Sequence, residues 1–125
     1  MTRRLLLSLP VVILALAVLP ARAAADLRLA MFELDGCPFC RAWNAEVGGA
    51  WPLSPEGQAA PLWRMNIRAP LPEGLALAEP VRVSPTFVLL RDGAEVGRIT
   101  GYSDAGFFWG LASQMIEKAQ ADGGR

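Results

Sequence analysis

The chain predicts an α/β fold, with a central mixed sheet of four strands or slightly more flanked by helices. Three observations carry this. LRLAMFEL, from Leu27 to Leu34, is apolar on both alternating sets of positions, the pattern of a strand buried on both faces. TFVLL, from Thr86 to Leu90, passes through Arg91-Asp92-Gly93 into Ala94 to Thr100, a hairpin signal that makes this pair antiparallel. Phe107, Leu111 and Met115, and likewise Phe108, Ala112 and Ile116, recur at four-residue spacing and form an apolar helical stripe expected to face the core.

Ahead of that fold lies a targeting segment. Arg3 and Arg4 make a short basic start, Leu5 to Leu19 is a continuous apolar run of 15 residues, and Ala21-Arg22-Ala23 supplies a small-x-small cleavage pattern. A helix needs roughly 20 apolar residues to cross a bilayer, so an uncleaved anchor fits less well. The expectation is a cleaved signal peptide over 1–23, with cleavage after Ala25 as the alternative, and export to a compartment where disulfides persist. Thr2-Arg3-Arg4 is a loose match to a twin-arginine signal, but the long apolar run suits the general secretory route better. Residues 24–125 then form one domain with one small core.

Taking Arg3, Arg4 and Arg22 from the 12 basic residues leaves nine against 12 acidic ones, a net charge of about −3. That is no basic footprint, so nucleic acid is not an expected partner. The chain contains no histidine. A Ser-His-Asp or Cys-His catalytic arrangement is therefore excluded, as is any histidine metal ligand. Two cysteines supply half of a usual four-ligand zinc site, which leaves only a site shared between two chains. Neither a metal nor an organic cofactor is expected, and the chain is expected to be a monomer.

After the first strand, Asp35-Gly36 breaks the pattern and Pro38 can occupy the first turn of a helix. That helix is expected to run to Val47 and to stop at Gly48-Gly49 through a left-handed glycine. AWPLSPEGQAAP, from Ala50 to Pro61, reads as a loop with room for a helical turn. Leu62 to Ile67 alternates as a second strand. Arg68 to Pro80 carries three prolines and a glycine, and within it only LALAE, Leu75 to Glu79, looks able to form a short helix. Ser103 or Asp104 is placed to cap the last helix, and the tail from Ala119 to Arg125 is expected to fray.

The chemistry points to Cys37 and Cys40. A cysteine is a nucleophile only as its thiolate, and Cys37 falls at a helix N-terminus, where unpaired N–H groups favour negative charge. Cys40 follows one turn later and is shielded, so Cys37 should attack and Cys40 resolve. Closing a loop of about four residues would stabilise the fold by only about 2 kcal/mol, against roughly 3 for a 15-residue loop. A redox couple is therefore favoured over a structural staple or a metal site.

CPFC between a buried strand and a helix, followed by VSPTFVLLRDGAEVGRITGY, resembles the thioredoxin superfamily from about Leu27 to Ala119. The resemblance implies that Pro85 is cis against the active-site disulfide, with Ser84 and Thr86 beside it. Ser84 would then offer its backbone to an extended client. FELDGCPFCRAW, APLWRMNI and GYSDAGFFW are similar, more narrowly, to the periplasmic thioredoxin-like branch of bacterial sulfur-oxidation (Sox) clusters. This implies a reductant that keeps or restores the client cysteine of a SoxYZ-type sulfur carrier and is recharged by a membrane electron donor of the CcdA or DsbD type. Alternatives are a disulfide-donating oxidant for folding proteins, a cytochrome c maturation thioredoxin, and a non-catalytic binding module with a structural disulfide.

Two positions depart from the family pattern. The buried aspartate six residues before the first cysteine is Met31 here, and the tryptophan just before that cysteine is Gly36. Glu33 is the nearest carboxylate to take over proton transfer for Cys40, or else a strand-end group facing water. Pro38-Phe39 is closer to the Pro-Tyr of glutaredoxins than to the Gly-Pro of thioredoxins. Arg41 is placed to lower the Cys37 pKa or attract an acidic client, or else is a solvated surface charge. Trp43, Trp51, Trp63 and Trp109 read as core or rim, with Trp43 the best candidate for a client contact.

Overall fold

The computed structural model describes residues 26–123 and, apart from them, position 17. The signal peptide expected over 1–23 and its cleavage site lie outside the described residues. Strands β1 (Leu27–Glu33), β2 (Leu62–Asn66), β3 (Thr86–Arg91) and β4 (Ala94–Thr100) form a four-stranded sheet in the order β2-β1-β3-β4. β1 pairs with β2 in parallel, while β1–β3 and β3–β4 are antiparallel. The sheet is thus mixed and flanked by helices, as expected. In the hairpin, Asp92 (φ 49°) and Gly93 (φ 85°) are both left-handed, the requirement of a two-residue turn matched to strand twist.

The parallel pair needs a crossover, and it runs over one face. Helix α1 (Pro38–Trp43) passes into a π-helical turn over Asn44–Gly48, then a 3₁₀ turn (Trp51–Leu53) and helix α2 (Pro55–Ala59). The left-handed glycine expected at Gly48-Gly49 is absent, since Gly49 keeps φ −69°. The Ala50 N–H bonds the Val47 carbonyl at 2.9 Å, so the end is closed while the chain keeps its right-handed course. The loop expected over Ala50 to Pro61 is thereby mostly helical, capped by Ser54 Oγ on the Gly57 N–H at 2.9 Å. Gly57 is required there, because a Cβ would sit 1.7 Å from the Trp51 carbonyl oxygen.

Helix α3 (Ala105–Gly123) closes the same face. Asp104 caps it, its Oδ1 accepting from the Phe107 N–H at 3.0 Å. Phe108, Ala112 and Ile116 are buried, as the stripe predicted, but Phe107 is 61% exposed. A four-residue repeat drifts round a 3.6-residue helix, so the row of Phe107, Leu111 and Met115 leaves the core at its first member. The expected fraying from Ala119 does not occur up to Gly123. Ala119 is buried, and Arg91 of β3 donates a hydrogen bond to its carbonyl, which ties down the last turns.

Among the described residues the opposite face has no helix. LALAE, expected to be helical, is extended: Ala76 bridges Ala94 in parallel, with Ala76 N–H to Gly93 O and Glu95 N–H to Ala76 O both at 2.9 Å. The two-residue spacing of Leu75 and Leu77 then sets both against Ala30, Phe32, Val88 and Leu90. Helix propensity is weak over five residues and yields to that burial plus a free strand edge.

Candidate active site

β1 and β3 are antiparallel with Phe32 opposite Thr86, so the end of β1 and the start of β3 meet at one edge of the sheet. That register joins two segments more than 40 residues apart. From β1 the chain turns through Gly36, whose φ of 74° is a conformation side chains rarely adopt, and the Cys37 N–H closes the turn on the Leu34 carbonyl at 3.3 Å. The family's tryptophan would be strained at this position. Pro38 opens α1, and Cys37 is its N-cap, with its sulfur accepting from the Cys40 N–H at 3.1 Å.

Cys37 and Cys40 form a disulfide with Cα atoms 5.2 Å apart. The two sulfurs are unequal, Cys37 being partly exposed and Cys40 only 3% exposed. From the other segment, the Ser84–Pro85 peptide bond is cis, and Ser84 Oγ lies 3.1 Å from Cys40 Sγ. The Pro85 carbonyl accepts from the Gly101 N–H at 2.8 Å, and Thr86 Oγ1 donates to the Val83 carbonyl at 2.6 Å, fixing this segment from both sides. Phe39, between the two cysteines, and Val83, next to Ser84 in the chain, are exposed apolar residues (59% and 45%).

Of the remaining predicted residues, Met31 is fully buried in the cluster that contains Cys40, Trp43 and Phe87. Glu33 pairs with Arg64 at 2.9 Å, and Arg64 also donates to Asn44 Oδ1 at 2.7 Å and approaches Met31 Sδ at 3.7 Å. Arg41 is exposed and forms no ion pair among the described residues. Trp43 is not a client contact. It has no exposure and packs on Phe87 and Phe108 with centroids 5.2 and 5.6 Å away, because its position on α1 faces the sheet. Trp51 is equally buried and stacks on Trp109 at 5.4 Å.

Sequence reasoning missed Arg64 and the Tyr102–Glu46 pair. Arg64 stands beside Met31 because the parallel β1–β2 register sets them opposite, and no local signal encodes that register. Tyr102, the residue after Gly101, donates to the Glu46 carboxylate from the π-helical turn. Burial, then that hydrogen bond and carboxylate charge, push the Tyr102 hydroxyl well above the usual phenol range. Among the described residues no three Cys, Asp or Glu side chains cluster as metal ligands, and no helix is long and apolar enough to cross a membrane.

No family model matches the chain, and no curated protein does. Among solved structures, the chain is similar to the periplasmic thioredoxin SoxS from Paracoccus pantotrophus in its reduced form, at 48% identity and a TM-score of 0.74. The match covers 75% of this chain and 99% of that one. With a C-x-x-C disulfide at a helix start and identity of that order along the whole length of that thioredoxin, the chain belongs to the thioredoxin family, in its SoxS branch, and is a thiol–disulfide oxidoreductase.

Proposed function

We propose that the protein works in the periplasm as a reductant that keeps a client cysteine of a SoxYZ-type sulfur carrier reduced, or reactivates it. Cys37 thiolate attacks the client disulfide or modified cysteine, and Cys40 resolves the mixed disulfide. A membrane donor of the CcdA or DsbD type returns the electrons, and neither metal nor organic cofactor takes part. The observation that carries this reading is the disulfide's setting: a partly exposed Cys37, with exposed apolar Phe39 between the cysteines and Val83 next to Ser84, in a chain akin to a periplasmic thioredoxin. The reducing direction is favoured by the chain's likeness to a periplasmic thioredoxin.

The test is to trap the client. Cys40→Ser leaves the Cys37 mixed disulfide unresolved, and expression in the native host followed by identification of the linked protein should yield a sulfur-carrier subunit. A broad set of folding substrates would instead assign the protein to disulfide donation. Cys37 alkylation that is no faster than that of an ordinary thiol across the pH range would remove the catalytic role.

A further inference from the structure

Cys40 must lose a proton before it can attack the Cys37–client bond, and its surroundings oppose this. The side chain is 3% exposed among Met31, Trp43 and Phe87, and burial in apolar surroundings disfavours a thiolate. The position where the family carries an acid is the apolar Met31, and the chain has no histidine. Glu33 is engaged with Arg64 at 2.9 Å and makes no hydrogen bond to either sulfur among the described residues. Among the described residues one polar side chain does reach Cys40: Ser84 Oγ, at 3.1 Å from its sulfur. Ser84 is itself only partly buried, so the residue that reaches the buried sulfur is also open to solvent.

We propose that the Ser84 hydroxyl is a catalytic group of the resolving step, carrying the Cys40 proton to water and then hydrogen-bonding the thiolate. This rests on the reading of the chain as a dithiol exchanger. In the mixed disulfide, Ser84 Oγ accepts the Cys40 thiol proton as its own hydroxyl proton passes to a water molecule. The transferred proton then points back at the sulfur anion. The Cys40 electron pair forms the bond to Cys37 Sγ, the Cys37–client bond breaks, and the client sulfur leaves with the electron pair of that broken bond and takes a proton from water. The two cysteines are oxidised by two electrons and the client disulfide is reduced by two. Each sulfur of the couple thus has its own donor: the Cys40 N–H for Cys37, and the Ser84 hydroxyl for Cys40.

The contact depends on tertiary placement. Ser84 precedes the cis bond to Pro85, and its segment is held by the Thr86–Val83 and Gly101–Pro85 hydrogen bonds. Threonine would keep the hydroxyl and alanine would remove it.

The first measurement follows Cys40 titration by thiolate ultraviolet absorbance in a Cys37→Ser background. Ser84→Ala should raise the Cys40 pKa by about one to two units, the usual worth of a hydrogen bond to a charged group, and Ser84→Thr should restore it. The second keeps Cys37 and times both steps against a small aromatic disulfide. Ser84→Ala should lower the rate of resolution relative to first attack by about three- to tenfold near neutral pH. The fall is smaller than the pKa shift alone gives, because a more basic thiolate is also a better nucleophile. An unmoved Cys40 titration in Ser84→Ala, or an equal rise in Ser84→Thr, overturns the proposal. Failure of Cys37 to form any mixed disulfide, with Cys40 titration still dependent on Ser84, overturns the exchanger reading and leaves the Ser84–Cys40 proton contact standing.

Discussion

The two faces of the sheet are buried by different means, and the chemistry sits on only one of them. On the helical face, Trp43, Trp51, Phe87 and Phe108 interlock with ring centroids 4.7 to 5.9 Å apart, beneath α1 and α3. On the other face, an extended strap lays Ile67, Leu75, Leu77 and Val81 over Ala30, Phe32, Val88 and Leu90. The strap is held at its far end by Arg98, which donates to the Glu79 carbonyl at 2.7 Å and pairs with Glu95 at 2.8 Å. Rigid aromatic packing keeps α1, and with it the two sulfurs, in place against Ser84. The strap's bonds are few and near the surface, so it is the first part expected to open.

Removing an aromatic from the helical face should have the largest effect. Trp43→Ala is expected to cost about 3–5 kcal/mol in urea unfolding of the oxidised protein, since the space lies between packed rings that cannot close over it. Leu90→Ala, on the strap face, is expected to cost about 2–3 kcal/mol, because the strap can settle into the gap. Equal losses would mean that the two coverings are equally rigid.

Arg98→Ala comes next, at about 2 kcal/mol near neutral pH. Arg98 and Glu95 keep 13% and 10% side-chain exposure, so the loss should fall short of the 3–5 kcal/mol typical of a fully buried pair. Amide exchange should quicken across 76–79 before it quickens in β1. The pair also has an acid signature. Burial works to raise the Glu95 pKa, but hydrogen bonds from Arg98 and the Ala78 N–H, with the Arg98 charge, outweigh it and hold it below the ordinary value of 4.5. A depressed folded pKa contributes stability above the unfolded value, and that contribution is lost as the pH falls through the folded one. Arg98→Ala should therefore flatten the loss of strap protection below about pH 4.5, and an unchanged acid profile would rule out this anchor.

Tyr102→Phe should be the mildest, at about 1 kcal/mol for the hydrogen bond to the exposed Glu46. Tyr102 has a raised folded pKa, so its contribution is complete below 10.0, the ordinary phenol value, and is lost as the pH rises beyond that. The variant should lack this alkaline loss, as read from unfolding midpoints between pH 8 and 11.

Much of this was legible in the residue order, where pattern and burial coincide. β1 reads as buried on both faces because Leu29 and Met31 do face the aromatic cluster while Ala30 and Phe32 face the strap. The hairpin at Asp92-Gly93 is local chemistry and was equally plain. LALAE misled because alternation and helical spacing both fit five residues, and only the free β4 edge chose between them. Phe107 misled because a periodic row does not say where the core ends. Arg64 gave no local sign, since its importance comes from standing across the β1–β2 register from Met31.

By itself, the sequence determined the α/β order of elements, the single C-x-x-C pair, the absence of histidine and the apolar residue in place of the family's acid. The first three follow from composition, spacing and periodicity, which are local, and the last from setting Met31 against the family pattern. Tertiary structure alone decided that Ser84 reaches Cys40, that Glu33 is engaged with Arg64, and that Trp43 lies in the core. Each depends on strand register or on the way a helix faces the sheet, and those are settled only when segments tens of residues apart pack together.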